Sequence, residues 1–264
     1  MSRYLAALLL VMLAMSPARA HDFWLEPDSF RPMPGSALTV TVRIGEALDG
    51  QSYPFDPRAY KYALWSGPKG DFDLSLVPVR ARQSGMVAIG DGLHSLTVAS
   101  YDQALTHDTT GDLLHFLTSV GQADLVATDA GRDLPTTNIS ERYRRSSKLL
   151  VHFGSVIGVD RRIGADREWV ALGSGFRLFD GPSVAGHHPV QVHCRQRGED
   201  RPVTRQDLKT DAEGVVHPRV PRDGECLLNA VFIGFDGAES DLTSEWVSLF
   251  LHTEPAAGAG EFSN

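Results

Sequence analysis

The chain has 264 residues, 42% hydrophobic and 22% charged, with 25 glycines and 15 prolines. This composition excludes a disordered or collagen-like chain and allows one large globular unit or two smaller ones. A formal charge of −8 argues against a nucleic-acid binder, which needs a basic surface, and two cysteines are too few for a disulfide-dense mini-protein.

The first twenty residues read as an address. Arg3 supplies a positive start, Tyr4 to Met15 is an apolar run of twelve, and Ala18-Arg19-Ala20 fits a small-x-small cleavage site. Twelve residues fall short of the roughly twenty that cross a hydrocarbon core, and no later segment is longer and apolar. The expectation is an exported, periplasmic chain without a transmembrane segment, beginning at His21. An uncleaved signal anchor is the alternative, and the mass of the exported N-terminus separates the two.

From Ala37 to Ile44 the sequence alternates, with Leu38, Val40, Val42 and Ile44 on one face, which predicts a half-buried strand. Further short strands are expected at Tyr60 to Trp65, Leu74 to Pro78, Leu93 to Ala99, Lys148 to Phe153, Val190 to Cys194, Cys226 to Ile233 and Trp246 to Leu251. Gly111 to Val120 and Ile139 to Ser147 each read as a short helix or turn decorating the first sandwich. Thr210 to Gly214 reads as a turn ahead of Val215 and Val216. The fold class predicted is all-β: two antiparallel, immunoglobulin-like sandwich domains with one or two short helices in the first. The aperiodic stretch Ser155 to Arg167 sets the domains at 21–160 and 166–253, with residues 254–264 as a mobile tail.

Cys194 ends one predicted strand and Cys226 begins another, so a disulfide between neighbouring strands is expected in an oxidising compartment. Two free buried thiols are the alternative. A metal-binding His193 and Cys194 pair is weaker, because adjacent strand residues point to opposite faces.

Cleavage after Ala20 would give His21 two donors in one residue, the α-amine and imidazole Nδ1, which together chelate a divalent ion. Such donors suit Cu(II), Ni(II) and Zn(II) better than Mg(II) or Ca(II), and at least one further ligand must come through the fold. The stretch His21-Asp22-Phe23-Trp24-Leu25-Glu26-Pro27, with Phe30, Pro32, Gly35 and Ile44-Gly45-Glu46, resembles the start of a bacterial family of exported proteins of unknown function, often labelled periplasmic components of cobalt or nickel transport. The resemblance continues at Gly92-Leu93-His94, Tyr143 to Leu150, Thr210 to Gly214 and Trp246 to Leu249. It implies a periplasmic β-sandwich protein that binds a transition metal and hands it to a membrane metal-uptake transporter. Relatives often carry a histidine where this chain has Val231-Phe232-Ile233, which is a departure from the pattern.

Ten histidines are present. His94 shares a predicted face with Leu96 and Val98 and is the expected distal metal ligand, and Glu46 is an oxygen donor that could complete a site with His21. His187-His188 reads as a solvated loop pair. His107 and His115 lack a second ligand at helical spacing, His152, His217 and His252 read as structural, and Trp24 as core. The function expected is a non-enzymatic binding or delivery protein for Ni, Co or Cu through His21. No nucleophile elbow, HExxH or P-loop is present. The competing readings are a structural or adhesion-type module for a protein or glycan, and a copper oxygenase with a histidine brace like that of lytic polysaccharide monooxygenases.

Overall fold

The computed structural model describes residues 22–76, 86–87, 90–173, 175–196, 202–235 and 239–253. The first half contributes β1 (Asp22–Pro27), β2 (Ala37–Leu38), β3 (Val40–Glu46), β4 (Asp49–Pro54), β5 (Tyr60–Gly67), β6 (Gly70–Asp73), β7 (Met86–Val87), β8 (Gly92–Ser100), β9 (Gln103–Thr109) and β10 (Thr137–Phe153). The second contributes β11 (Arg167–Ala171), β12 (Phe176–Asp180), β13 (Ser183–Val184), β14 (Pro189–Gln196), β15 (Thr204–Lys209), β16 (Val215–Val216), β17 (Gly224–Gly234) and β18 (Leu242–Thr253). No helix among the described residues is long and apolar enough to cross a membrane. His21 and residues 254–264 lie outside the described residues.

The architecture is an all-β sandwich built around one nine-stranded sheet, ordered β15-β14-β17-β18-β10-β8-β5-β6 with β9 also on β10. A sheet of β1, β3 and β4, another of β11, β12, β13 and β16, and a two-stranded pair of β2 and β7 complete the described sheets. Strand alternation lets the large sheet serve two cores. Leu149, Val151, Phe153, Leu227 and Phe250 pack with Phe23, Trp24, Leu25, Val40 and Val42 of the first small sheet. Their chain neighbours Leu150, Leu228 and Leu249 face the other way and pack with Trp169, Phe176, Leu178 and Val216 of the second. The small sheets are therefore covers on opposite faces of a shared sheet. The expected boundary near residues 155–167 is a connector between β10 and β11, and the large sheet runs across it. The described strand pairings are antiparallel except β10 with β18, which run parallel from Glu141↔Leu242 to Leu149↔Phe250.

Trp24 is a core residue, 1% exposed, with its ring 6.4 Å from that of Phe250. Burying a side chain of this size contributes roughly 1.5–3 kcal/mol. Cys194 and Cys226 are direct cross-strand partners and are disulfide-bonded, which staples β14 to β17.

Three expectations are corrected. Ile139 to Ser147 is strand, part of β10. Its charged residues find partners on both flanks: Glu141 accepts from His107 Nε2 at 2.6 Å and from Ser244, and Arg144 meets Asp102 at 2.7 Å, so cross-strand pairing overrides helix propensity. Leu74–Leu76 is a 3-10 turn, because the Asp73 carboxylate accepts the Ser75 N–H at 2.8 Å and ends β6; Pro78 lies outside the described residues. The helix at Thr110–Ser119 forms as expected, with a capping box between Thr109 and Asp112. It does not decorate the first half alone: Leu113, Phe116 and Leu117 pack on Ile139 and also on Val231, Leu242 and Trp246.

Candidate functional site

Asp22 opens β1 opposite Gly45 of β3. A β carbon on Gly45 would stand 1.9 Å from the Asp49 carbonyl oxygen, so the β3–β4 hairpin closes this tightly only with glycine there. The hairpin turns through Ala47 and Leu48 at φ +51° and +65°, a left-handed pair that Asn and Gly normally occupy. Leu48 is buried and the Ala47 N–H donates to Asp22 Oδ2 at 3.2 Å, so packing and this bond hold a conformation that the two side chains disfavour. Exposed Glu46 stands at the entrance to the turn.

Asp22 reaches across to the large sheet. Its side chain is buried, accepts from Asn229 Nδ2 at 2.7 Å, and lies 3.8 Å from Nδ1 of His193 on β14. Burial pushes the Asp22 carboxyl up to about 6; the Ala47 bond opposes this, the Glu46 charge reinforces it, and Asn229 opposes it. Burial also holds the His193 imidazole below its ordinary value, helped by Arg205 and opposed by Asp207 and Glu46. At 3.8 Å the contact is too long for a hydrogen bond, and Nδ1 of His193 has no hydrogen-bond partner. The corner thus holds a carboxyl and a neutral imidazole, both competent metal donors. Among the described residues, no three His, Cys, Asp or Glu side chains converge as metal ligands.

Glu46 belongs to this corner, as an electrostatic neighbour of both Asp22 and His193. His94 does not. Successive register partners His193, Leu227, Phe250, Leu149 and Leu96 cross β14, β17, β18, β10 and β8, so the strand of His94 lies four spacings away, about 19 Å. His94 is 2% exposed, with its ring centroid 5.3 Å from Trp65 and 5.0 Å from Phe153. Its Nε2 lies 3.4 Å from the Gly90 carbonyl oxygen, and burial holds its pKa down. Its Nδ1, like that of His193, is buried without a hydrogen-bond partner, but the ring is packed between aromatic side chains beside an open cleft of about 400 Å³, four strand spacings from His193.

Sequence reasoning passed over His193 by weighing it only with Cys194. The strand alternation of Val190, Val192 and Cys194 into one core puts His193 on the opposite face, toward β1. The Phe232 departure is filled by stacking: the His188 ring lies 4.1 Å from the Phe232 ring and its Nε2 donates to the Val231 carbonyl oxygen at 3.1 Å, while Arg167 sits 4.4 Å over the same Phe232 ring.

No curated protein matches the chain. Over residues 18–234 it matches the family described as Domain of unknown function (DUF4198), and it belongs to that family.

Proposed function

We propose that the protein is an exported, periplasmic binding or delivery protein for a divalent transition metal, Ni, Co or Cu, held by the amine and imidazole of His21 after processing behind Ala20. The observation that carries this reading is the buried, unbonded Nδ1 of His193, 3.8 Å from the carboxyl of Asp22, the residue joined to His21. A buried polar atom without a partner costs about 1–3 kcal/mol, and a metal ion at this corner would give it one. His193 takes the place of His94 as the distal donor, with Glu46 supplying negative charge at the rim. The resemblance of the HDFWLEP stretch to components labelled for cobalt or nickel transport supports the same reading and makes a membrane uptake transporter the recipient.

Calorimetry of processed, tag-free protein against Ni(II), Co(II), Cu(II) and Zn(II) tests it. Binding should weaken sharply in His21→Ala, in His193→Ala and in a chain with one extra residue before His21. Binding that ignores all three changes, or no binding at all, overturns the proposal and favours a structural or adhesion-type module.

A further inference from the structure

Lys148 sits inside β10 and is 2% exposed. Its Nζ stands 2.8 Å from Asp160 Oδ1 and 3.0 Å from Glu168 Oε1, on side chains only 3% and 1% exposed. It also donates to the carbonyl oxygens of Arg161 at 2.9 Å and Trp169 at 3.1 Å. The three charged groups come from β10, the connector and β11. The far oxygen of Asp160, Oδ2, accepts the Ala171 N–H at 2.8 Å. Glu168 is fixed by the N–H groups of Ile163 at 2.9 Å and Gly164 at 3.2 Å.

One ammonium and two carboxylates leave this buried cluster with excess negative charge, and each buried ion carries a desolvation cost. Condensing one amine with one carboxyl removes a charge of each sign and leaves a neutral amide. The parts such a reaction needs are present: an amine against a carboxyl group, a second carboxylate within reach of the amine's protons, a backbone N–H on the oxygen where negative charge develops, and three side chains almost fully withdrawn from solvent. Groups held this way react with effective molarities on the order of 10⁵–10⁸ M.

We propose that Lys148 and Asp160 form an intramolecular isopeptide bond, with Glu168 as the catalytic proton relay. Glu168 takes a proton from the Lys148 ammonium. The freed Nζ lone pair attacks Cγ of Asp160, and the Nζ–Cγ bond forms while the Ala171 N–H stabilises Oδ2. The Cγ–Oδ1 bond then breaks, and that oxygen leaves as water with the proton from Glu168 and a second proton from Nζ. An ammonium and a carboxylate become one amide and one water, with no oxidant, reductant or nucleotide consumed. The amide N–H that remains donates to Glu168. The bond ties β10 to the connector between the two covers. It stands apart from the metal reading, because Lys148 faces the β11 side of the large sheet and His193 the β1 side.

The test is mass spectrometry of the purified full protein. The intact mass should be one water below that of its residues with the disulfide formed, and digestion should yield a branched peptide joining Lys148 to Asp160. Lys148→Arg and Asp160→Ala should restore the full mass, and Glu168→Gln should leave most molecules unlinked while circular dichroism still reports a folded sandwich. If these variants do not fold, the wild-type peptide map decides alone. An unmodified Lys148 in the wild-type map, a branch to Glu168 in place of Asp160, or a mass deficit that survives Lys148→Arg overturns the proposal.

Discussion

Gly67→Ala probes whether His94 is a core residue. A β carbon at position 67 would stand 2.3 Å from Nδ1 and 2.5 Å from Cε1 of the His94 ring, where a relaxed contact needs about 3.5–4.0 Å. Trp65 and Phe153 flank the ring, so it can move aside only by giving up those contacts. Overpacking of this kind costs about 1–3 kcal/mol, which for a protein of this size lowers Tm by roughly 2–12 °C. His94→Ala alone removes a buried ring with two aromatic neighbours and should cost about 2–4 kcal/mol. Once the ring is gone the clash is gone, so Gly67→Ala in the His94→Ala background should cost close to nothing, a coupling of about 1–3 kcal/mol. Urea unfolding of the four metal-free proteins reads the cycle, and calorimetry on the same proteins reads metal affinity, which His94→Ala should leave unchanged. Additive costs refute the packing argument, and a tenfold loss of metal affinity in a folded His94→Ala protein returns His94 to the ligand set.

Replacing both Cys194 and Cys226 by Ala opens a crosslink between residues 32 apart in sequence and should cost about 4 kcal/mol by chain entropy, seen as a lower midpoint in denaturant; an unchanged midpoint would contradict it. Burial holds His188 below its ordinary pKa, so the unfolded chain binds its proton more readily than the folded one. Its contribution is therefore present at neutral pH and lost as pH falls below about 6.5, and His188→Gln, which can still donate to the Val231 carbonyl, should show a shallower loss of stability between pH 7 and 5 than wild type. Ala47→Gly should stabilise the protein by about 0.5–1 kcal/mol, against the usual sign, because it relieves a left-handed alanine; destabilisation by that amount would show that the turn is not strained.

Alternation was enough to read β3, where Val40 and Val42 are buried and Thr41 and Arg43 between them are not, and short apolar runs bounded by turn residues were enough to read β5, β8, β14, β17 and β18; β17 and β18 are buried on both faces and carry no alternation. Such patterns failed on β10 where Glu141, Arg142 and Arg144 occupy an interior strand: their partners, His107 and Ser244, Glu239, and Asp102, lie far away in sequence, and no local window contains them. The disulfide was legible because both cysteines sat on predicted strands. The corner at Asp22 was only half legible. Glu46 follows from the hairpin, but His193 and Asn229 arrive from strands more than 170 residues away in sequence, through a register that only the folded sheet sets.

The shared sheet also settles how the two halves should unfold. If they were separate domains joined by residues 154–166, each would have its own core and its own transition. Instead β10 and β18 pair over nine residues, Trp24 of the first half packs on Phe250 of the second, Ser248 donates to the Phe23 carbonyl at 2.6 Å, and the helix Thr110–Ser119 is buried against both. Ending the chain at residue 160 would strip one edge of β10 along Glu141 to Leu149 and uncover Leu150 and Trp24 together, so that half should not fold alone. The intact protein should therefore melt in one cooperative transition, with calorimetric and van't Hoff enthalpies in agreement. Two resolved transitions, or a folded fragment of residues 21–160, would mean that the sheet joins two independent units and that the contacts across β10 and β18 carry little of the stability.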